Sequence, residues 1–314
     1  CVPTAFCSYS GEALDKKTPL LRSMATLDKQ TKRVLSLFGK NPAHVTVNVG
    51  TEQEYFLISE KDYERRQDLI VCGRTLFGAP PCKGQELDEH YFGAIRPTVN
   101  SFMKELDDEL WGFAVAAKTK HNEVAPCQHE LAPVFCNANR AVDENLLTME
   151  MMKLLASHHG LVCLQHEKPF EGINGSGKHN NWSFGTEDEN LLDPGDTPEA
   201  NLQFIVFLTC VIEAVDNYQD LLRMSVASCG NDHRLGAHEA PPAIISIFLG
   251  DELSSIIDAL TSGETAAHTL REQLDFGVDV LPNLERDTTD RNRTSPFAFT
   301  GNKFEFRMPG SSVN

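Results

Sequence analysis

One strand-like stretch places two carboxylates on the same face inside otherwise apolar sequence. Residues 44–58 read HVTVNVGTEQEYFLI. Side chains at positions i and i+2 of a strand project to the same side, so Glu52 and Glu54 stand about 7 Å apart on one face. An exposed edge strand would explain the pair as a solvated acidic surface. The apolar residues at 45–49 and 55–58 instead indicate a strand covered on much of both faces, where buried like charges need a cation.

Composition excludes several classes of protein. The chain has 314 residues, of which 41% are hydrophobic and 23% charged, as in an ordinary globular protein of one large domain or two. A formal net charge of -17 disfavours a nucleic-acid partner. Nine cysteines without a C-x-x-C pair favour a reducing compartment over a disulfide framework. No apolar run reaches the roughly 20 residues that cross a bilayer, and the first residues lack the basic region of a secretory signal. We therefore expect a cytoplasmic protein without a membrane partner.

Predicted strands alternate irregularly with helices and loops along the chain. Hydrophobic periodicity predicts helices over residues 19–39, 98–110 and 142–158, and strands over residues 114–121, 128–135 and 161–166. Thr197 and Pro198 predict the start of a further long helix, with Thr197 as its cap. Short gaps between strands favour a mixed or antiparallel sheet with helices packed outside it, so we assign the chain to the α+β class.

Two other stretches place acidic side chains among apolar residues. In HNEVAPCQHELAPVF, Glu123 and Glu130 bracket a proline-containing turn, which can aim both carboxylates into one cleft. In NKFEFRMP, Glu305 and Arg307 alternate on one strand face while two phenylalanines take the other. The first stretch alone is a weak signal, and an exposed ion-pair strand would explain the second.

The stretch FEGINGSGKHNNWSFG combines a flexible turn with alternating polar side chains. Residues 174–177 allow the backbone to approach a ligand closely, and His179, Asn181 and Ser183 follow on alternate positions of an extended segment. A loop would explain the glycines but not this alternation. Together the polar stretches supply five glutamates and one histidine. Oxygen-rich ligands with one imidazole suit Mg²⁺ or Mn²⁺ rather than a structural zinc.

Cationic side chains lie in two turn-rich loops. NDHRLGAHEAPPAII contains Arg234 and Glu239, and TTDRNRTSPF contains Arg291 and Arg293. Surface arginines are common, so solvated loops would account for both. Divalent cations with converging arginines are nevertheless what phosphoryl transfer requires. Because Lys178 is followed by histidine rather than serine or threonine, the glycine-rich stretch is not a P-loop, and a nucleotide must be held differently.

Five motifs resemble, in the same order, those of the glutamine synthetases, specifically the long type III branch: VGTEQEYFLI, NEVAPCQHELAP, NGSGKHNNWS, HRLGAHEAPPAIISIFLG and DRNRTSPFAFTGNKFEFR. The likeness runs from about residue 9 to residue 310. It implies a curved, mostly antiparallel, open barrel-like sheet flanked by helices. We expect residues 1–42 to form a lead-in segment and residues 43–314 the catalytic domain, without the family's small amino-terminal domain or the carboxy-terminal extension of the long branch.

The resemblance also implies a role for each motif residue. The implied metal ligands are Glu54, Glu123 and Glu130 for one cation, and Glu52, His179 and Glu305 for a second. The implied substrate-binding residues are Asn174, Gly175, Arg234 and Arg307, and those for ATP are Asn181, Ser183 and Arg293. The implied catalytic residues are Glu239, Glu123 and Arg293.

The implied reaction joins ammonia to the γ-carboxylate of glutamate through γ-glutamyl phosphate, with ATP as the phosphoryl donor. The resemblance further implies a homo-oligomer of stacked rings with active sites between subunits. Many relatives carry a second arginine five positions after Arg293, where this chain has Ala298, and Lys303 is one candidate to replace it. Two alternatives remain open. One is a related ligase that joins glutamate to a larger amine, and the other is a non-catalytic relative, although all six implied metal ligands are present.

Overall fold

A single long strand, β1 (Thr46–Ser59), organises the sheet. The computed structural model describes residues 4–264, 273–274, 277–278, 284–285 and 295–313. The valines and aromatic residues of β1 favour extended backbone, and the strand has neighbours along both edges. Its first half pairs with β4 (Cys136–Asn137) and β6 (Lys178–Gly185), and its second half pairs with β3 (Gln128–Pro133) and β5 (Leu161–Leu164). All four pairings are antiparallel.

The sheet is open at both ends. Its remaining strands are β2 (Ala117–Asn122), β7 (Ile247–Phe248), β10 (Phe297–Phe299) and β11 (Phe304–Phe306). The strand order is β2-β3-β1-β6-β11-β10-β7, and within the described sheet only the pair β10–β7 is parallel. A separate pair joins β8 (Gln273–Leu274) to β9 (Leu284–Glu285). The α+β class with a curved, mostly antiparallel sheet is therefore confirmed.

The odd-numbered face of β1 packs against helices, whereas its even-numbered face carries acidic side chains at Glu52 and Glu54 and an apolar group at Phe56 and Ile58. The helices of the described residues are α1 (Lys17–Leu37), α2 (Glu60–Glu64), α3 (Gln67–Cys72), α4 (Pro97–Gly112), α5 (Ala138–His158), α6 (Leu202–Asn217), α7 (Gln219–Ser225), α8 (Cys229–Arg234) and α9 (Asp251–Ser262). The odd-numbered residues Tyr55 and Leu57 pack into a core with α4 and α5, and Val45 packs into a second core with α6 and α9. Because side chains alternate along a strand, Glu52 and Glu54 project from the opposite face.

The start of α6 differs from the prediction. Residues 198–200 form a short 3-10 turn, and the α-helix begins at Leu202. The cap is Asn201, whose side chain accepts a hydrogen bond from Phe204 N at 3.1 Å, whereas Thr197 makes no side-chain cap. An asparagine four residues after the predicted cap therefore supplies the acceptor that the first free N–H groups need. Within the described part of the chain, no helix is both long and apolar enough to cross a membrane.

Candidate active site

The register of the sheet collects the acidic side chains on one face. Residues that lie opposite one another in an antiparallel pair project to the same side. Glu52 lies opposite His179 on β6, and Glu54 lies opposite Glu130 on β3. Glu130 in turn lies opposite His121 on β2. Three pairings thus place carboxylates and imidazoles from four neighbouring strands on the sheet face opposite the core that α4 and α5 form.

Three predicted ligands form a compact group, which we call the Glu305 cluster: Glu52, His179 and Glu305. His179 Nδ1 lies 3.0 Å from Glu52 Oε2 and 3.2 Å from Glu305 Oε1. One possible ligand atom from each residue lies within 4.8 Å of the other two. Arg307 adjoins the cluster, with its Nη2 at 3.0 Å from Glu305 Oε2. Glu305, His179 and Arg307 are all buried.

The electrostatics of the Glu305 cluster favour a positive charge at its centre. Burial would lower the pKa of His179, but hydrogen bonds with Glu305 and Glu52 outweigh burial and raise that pKa to about 10. Burial would raise the pKa of Glu52 and Glu305, but interactions with His179 lower both values. A proton on His179 thus balances the carboxylates. Two carboxylates and one imidazole at this separation are also a donor set that fits Mg²⁺ or Mn²⁺.

A second group, the Glu123 cluster, consists of His121, Glu123 and Glu130. His121 Nε2 lies 3.1 Å from Glu130 Oε1, and His121 Nδ1 lies 3.6 Å from Glu123 Oε1. The hydrogen bond with Glu130 raises the pKa of His121 to about 9, although burial acts against it. His121 was not among the residues predicted from the sequence. The signal was present, because His121 alternates with Glu123 as Glu52 alternates with Glu54.

Glu54 stands beside the Glu123 cluster rather than within it. Its Oε2 accepts a hydrogen bond from the backbone N–H of Gly177. Among the described residues, the groups of three possible ligands within 4.8 Å of one another do not include Glu54. Burial raises the pKa of Glu54, and the nearby charge of Glu130 adds to this effect. A carboxylate whose charged form is disfavoured in this way would gain from a nearby cation.

Arg234 lies against the glycine-rich segment. Its Nη2 donates to Arg307 O at 3.0 Å, and its Nη1 donates to two further backbone carbonyls at 3.2 and 3.3 Å. A Cβ atom on Gly175 would lie 3.0 Å from Arg234 Cγ, and one on Gly177 would lie 2.8 Å from Arg234 Cζ. These two glycines are therefore required by close approach. A small pocket beside them is lined by Glu54, Asn174, Gly175, His179, Arg234 and Glu239 together with two neighbours of Glu239.

Glu239 reaches this pocket from the loop that follows α8. The side chain is exposed, and its Oε2 accepts a hydrogen bond from Asn174 Nδ2. Asn174 is bonded in turn to Gln85, whose Oε1 accepts from Asn174 N at 2.6 Å and whose Nε2 donates to Asn174 Oδ1 at 2.7 Å. Gln85 was not predicted from the sequence, because it lies in a polar loop without periodicity.

Two of the three residues predicted to contact ATP, Asn181 and Ser183, lie along β6 beside the Glu305 cluster. Asn181 Nδ2 donates to Glu52 Oε1 at 2.8 Å, and Asn181 Oδ1 accepts from Lys303 Nζ at 2.7 Å. Ser183 follows two positions later on the same strand and is half-buried. This row of side chains continues the polar face of the sheet away from the pocket at Arg234.

Ala298 marks the departure from the family pattern. It is buried and lies opposite Glu305, so a longer side chain at this position would project beside the Glu305 cluster. Burial lowers the pKa of Lys303, while the charge of Glu305 acts in the opposite direction. The ammonium group of Lys303 thus lies close to the cluster. Arg291 and Arg293 lie outside the described residues.

The protein has an α+β fold in which one face of an open sheet carries two carboxylate–histidine clusters. Because each cluster could hold a metal ion, the class of protein that the fold and site indicate is a candidate two-metal enzyme. Residues 29–245 match the family model for the catalytic domain of glutamine synthetase, and residues 1–23 match the glutamine synthetase type III N terminal model. The catalytic-domain match covers more than half of the chain. The chain therefore belongs to the glutamine synthetase family, and the resemblance found in its motifs is confirmed.

Curated relatives place the chain near the type III branch. It is 57% identical to a glutamine synthetase of Butyrivibrio fibrisolvens, over 99% of this chain and 45% of the relative. It is 54% identical to the type-3 glutamine synthetase of Dictyostelium discoideum, over 99% of this chain and 43% of the relative. The chain thus spans less than half the length of these relatives.

Solved structures share the fold. A structure of GmaS without ligand gives a TM-score of 0.51 at 19% identity and covers 86% of this chain and 50% of the other. A GmaS complex with ADP gives a TM-score of 0.52 at 17% identity, over 91% and 54% of the two chains. At these identities the likeness shows the fold alone.

Proposed function

We propose that the intact protein is a glutamate–ammonia ligase, which forms glutamine, ADP and phosphate from glutamate, ammonia and ATP. The observation that carries the proposal is the convergence of two carboxylate–histidine clusters on one sheet face, beside a pocket that Arg234 lines. Three relatives that share 53%, 54% and 57% identity with the chain bear the name glutamine synthetase, which supports the same reaction.

Each cluster is proposed to hold one Mg²⁺ or Mn²⁺ ion. The Glu305 cluster would bind one cation, and Glu123 and Glu130 together with Glu54 would bind the other. When bound, such ions neutralise negative charge on the phosphate groups of a nucleotide. Glu52 and Glu54 would then share a strand because each serves a different cation.

The substrates are proposed to bind on either side of the clusters. Arg234, Asn174 and the backbone at Gly175 would hold glutamate, because they line the pocket that also contains Glu54. A guanidinium group suits a carboxylate, since it offers several donors in one plane. On the other side, Asn181 and Ser183 would contact ATP, and Arg293 and Arg307 would steady its phosphates. Arg307 already lies against Glu305, which supports this assignment.

Glu239 and Glu123 are proposed to handle the proton of the second step. Ammonium must lose a proton before its nitrogen can attack the acyl phosphate. Glu123 is a buried member of the Glu123 cluster, and Glu239 lies at the pocket that Arg234 lines, so either carboxylate would attract the cation and accept its proton. A loop that also excludes water would protect the acyl phosphate from hydrolysis.

We further infer the setting of the active site. The family resemblance supports a homo-oligomer of stacked rings with active sites between subunits, in which residues 43–314 form the catalytic domain and residues 1–42 lead into it. We also infer a cytoplasmic location without nucleic-acid or membrane partners. The eight cysteines of the described residues are all free thiols, which supports a reducing compartment.

An assay of the intact protein tests the reaction. Phosphate release and glutamine formation are measured with ATP and Mn²⁺, and with glutamate or ammonium omitted in turn. We expect glutamine to form only when every component is present. ATP cleavage that is independent of both glutamate and ammonium would rule out the proposed reaction.

Two variants separate proton transfer from metal binding. Glu239→Ala should lower glutamine formation by about 10²-fold while Mn²⁺ and nucleotide affinity stay near those of the parent. Glu54→Ala should instead weaken Mn²⁺ binding, because it removes one carboxylate that would bind the cation. Glu150→Ala, on an exposed position of α5, is the matched control and should change neither quantity. Equal loss of Mn²⁺ affinity in the Glu239 and Glu54 variants would contradict this division of roles.

A further inference from the structure

The loop between α3 and α4, residues 73–96, is attached to the candidate site at two points. Gln85 makes the paired hydrogen bonds with Asn174. Further along the loop, Gly93 O accepts a hydrogen bond from Asn122 Nδ2 at 3.1 Å, next to the Glu123 cluster. The loop therefore connects the pocket at Arg234 with one of the two clusters.

The backbone between these two attachments is strained. Leu87 and Asp88 have φ values of 54° and 53°, in the left-handed region that residues with a Cβ rarely adopt. Such conformations persist only where surrounding contacts hold them, and they concentrate at functional sites. The hydrogen bonds of Gln85, two residues earlier, are among the contacts that fix this turn.

The orientation of three side chains follows from one backbone group. The N–H of Asn174 can only donate, so the atom of Gln85 that receives it is the oxygen, Oε1. The amide nitrogen of Gln85 must then face Asn174, and it donates to Oδ1. This leaves Asn174 Nδ2 directed at the carboxylate of Glu239. A turned Asn174 amide would place an oxygen against that carboxylate and repel it.

We propose that Gln85 is a positioning residue for Glu239. It fixes the amide of Asn174 with its donor side towards Glu239, and so holds the loop of residues 235–241 at the pocket. The structural part of this assignment is independent of the reaction, whereas its consequence for glutamine formation rests on the proposed function. In that reaction, loss of the contact opens the pocket to water and allows the acyl phosphate to hydrolyse.

The most informative variant is Gln85→Glu, which keeps the shape of the side chain. One carboxylate oxygen can still accept from Asn174 N, but the other would face Asn174 Oδ1, so two acceptors meet. The Asn174 amide should turn and repel Glu239. Gln85→Met, which removes both polar atoms, should have a smaller effect in the same direction. Gln219→Glu, the same substitution at an exposed position of α7, is the matched control.

Hydrogen exchange tests the positioning role directly. The loop of residues 235–241 contains backbone hydrogen bonds that slow amide exchange, including the bond from Gly236 N to Pro241 O at 2.9 Å. In the intact protein, Gln85→Glu should speed exchange within residues 235–241 several-fold, and the control should not. In an Asn174→Ala background the same substitution should add nothing, because the amide through which it acts is gone. Unchanged exchange in both Gln85 variants, or an equal increase in the Asn174→Ala background, would overturn the proposal.

The ratio of products supplies a second readout. The parent should release about one phosphate per glutamine, and Gln85→Glu should release roughly two or more, because water competes with ammonia. A general loss of folded enzyme would lower both products and leave their ratio unchanged, and that result would count against a positioning role. If the parent forms no glutamine at all, the proposed function fails, and the exchange measurement still decides the role of Gln85.

Discussion

The substitution Gly177→Ala should damage the pocket at Arg234 through a single added methyl group. A Cβ atom at this position would lie 2.8 Å from Arg234 Cζ and closer still to Nη2. Real Cβ atoms essentially never come within 3.0 Å of a non-bonded heavy atom, so the guanidinium group of Arg234 must withdraw. Because Nη2 is the nearest atom, a withdrawal of roughly 1.5 Å is needed to restore ordinary van der Waals contact.

The expected magnitude follows from the bonds that this movement stretches. Arg234 donates to backbone carbonyls at 3.0, 3.2 and 3.3 Å, and a displacement of that size breaks at least one of them. A hydrogen bond to a charged group contributes about 1.5–3 kcal/mol, and overpacking costs about 1–3 kcal/mol. We therefore expect the free energy of unfolding to fall by about 3 kcal/mol. Because the entropy of unfolding is about 2.1 cal/mol/K per residue, the Tm of a chain of 314 residues should drop by roughly 5 °C.

Thermal unfolding and steady-state kinetics of the intact protein measure the two effects. If Arg234 holds glutamate, loss of a hydrogen bond from its charged group, worth about 1.5–3 kcal/mol, should raise the KM for glutamate by about 10- to 10²-fold, since about 1.4 kcal/mol corresponds to one factor of ten. Gly112→Ala is the matched control, because nothing lies within 4 Å of a Cβ atom there, and it should leave Tm unchanged or slightly higher. A Gly177→Ala protein with the Tm and glutamate KM of the parent would refute the reasoning.

Three further substitutions examine other parts of the site. His121→Ala should weaken Mn²⁺ binding by about 10-fold or more, because it removes the imidazole that orients two proposed ligands, Glu123 and Glu130; calorimetric titration measures this, and parental affinity would contradict this role of His121. Lys303→Met should raise the KM for ATP by about 10-fold without changing that for glutamate, because it removes the cation bonded to Asn181; an unchanged KM for ATP would contradict this role. Lys178→Met should raise the free energy of unfolding by about 2 kcal/mol at pH 7, because burial lowers the pKa of Lys178 from 10.5 to about 8 and the folded protein disfavours the charged form. The cost of burying the charged lysine is present below pH 8 and is lost as pH rises towards 10.5. The stability gained by the variant, measured by chemical denaturation, should therefore shrink over this range, and a gain that grows with pH would contradict the prediction.

The alternation within β1 could be predicted from the sequence, but its partners could not. Period-two alternation fixes which residues of one strand share a face, and Glu52 and Glu54 do project from the same side. Register between strands depends on turns and on packing across the whole sheet. It is this register that sets Glu52 opposite His179 and Glu54 opposite Glu130. The acidic residues of the site can therefore be identified from the sequence, but only the fold determines which of them lie next to one another.

The residues that were missed show two different limits. His121 alternates with Glu123, so the reasoning applied to β1 would have identified it. Gln85 carries no such signal, because its partner Asn174 lies 89 residues away and the loop between α3 and α4 has no period. A contact of this kind depends on how a loop crosses the folded sheet. Local sequence patterns do not encode that path.

The claim that two cations bind on one face of the sheet is tested most directly by diffraction. Crystals of the intact protein grown with Mn²⁺ and a nucleotide would locate manganese by its anomalous scattering. We predict two manganese positions, each about 2.0–2.4 Å from its ligand atoms. The predicted ligands are Glu52, His179 and Glu305 for one position, and Glu54, Glu123 and Glu130 for the other. Manganese bound elsewhere on the protein, with no anomalous peak at either cluster, would contradict the account.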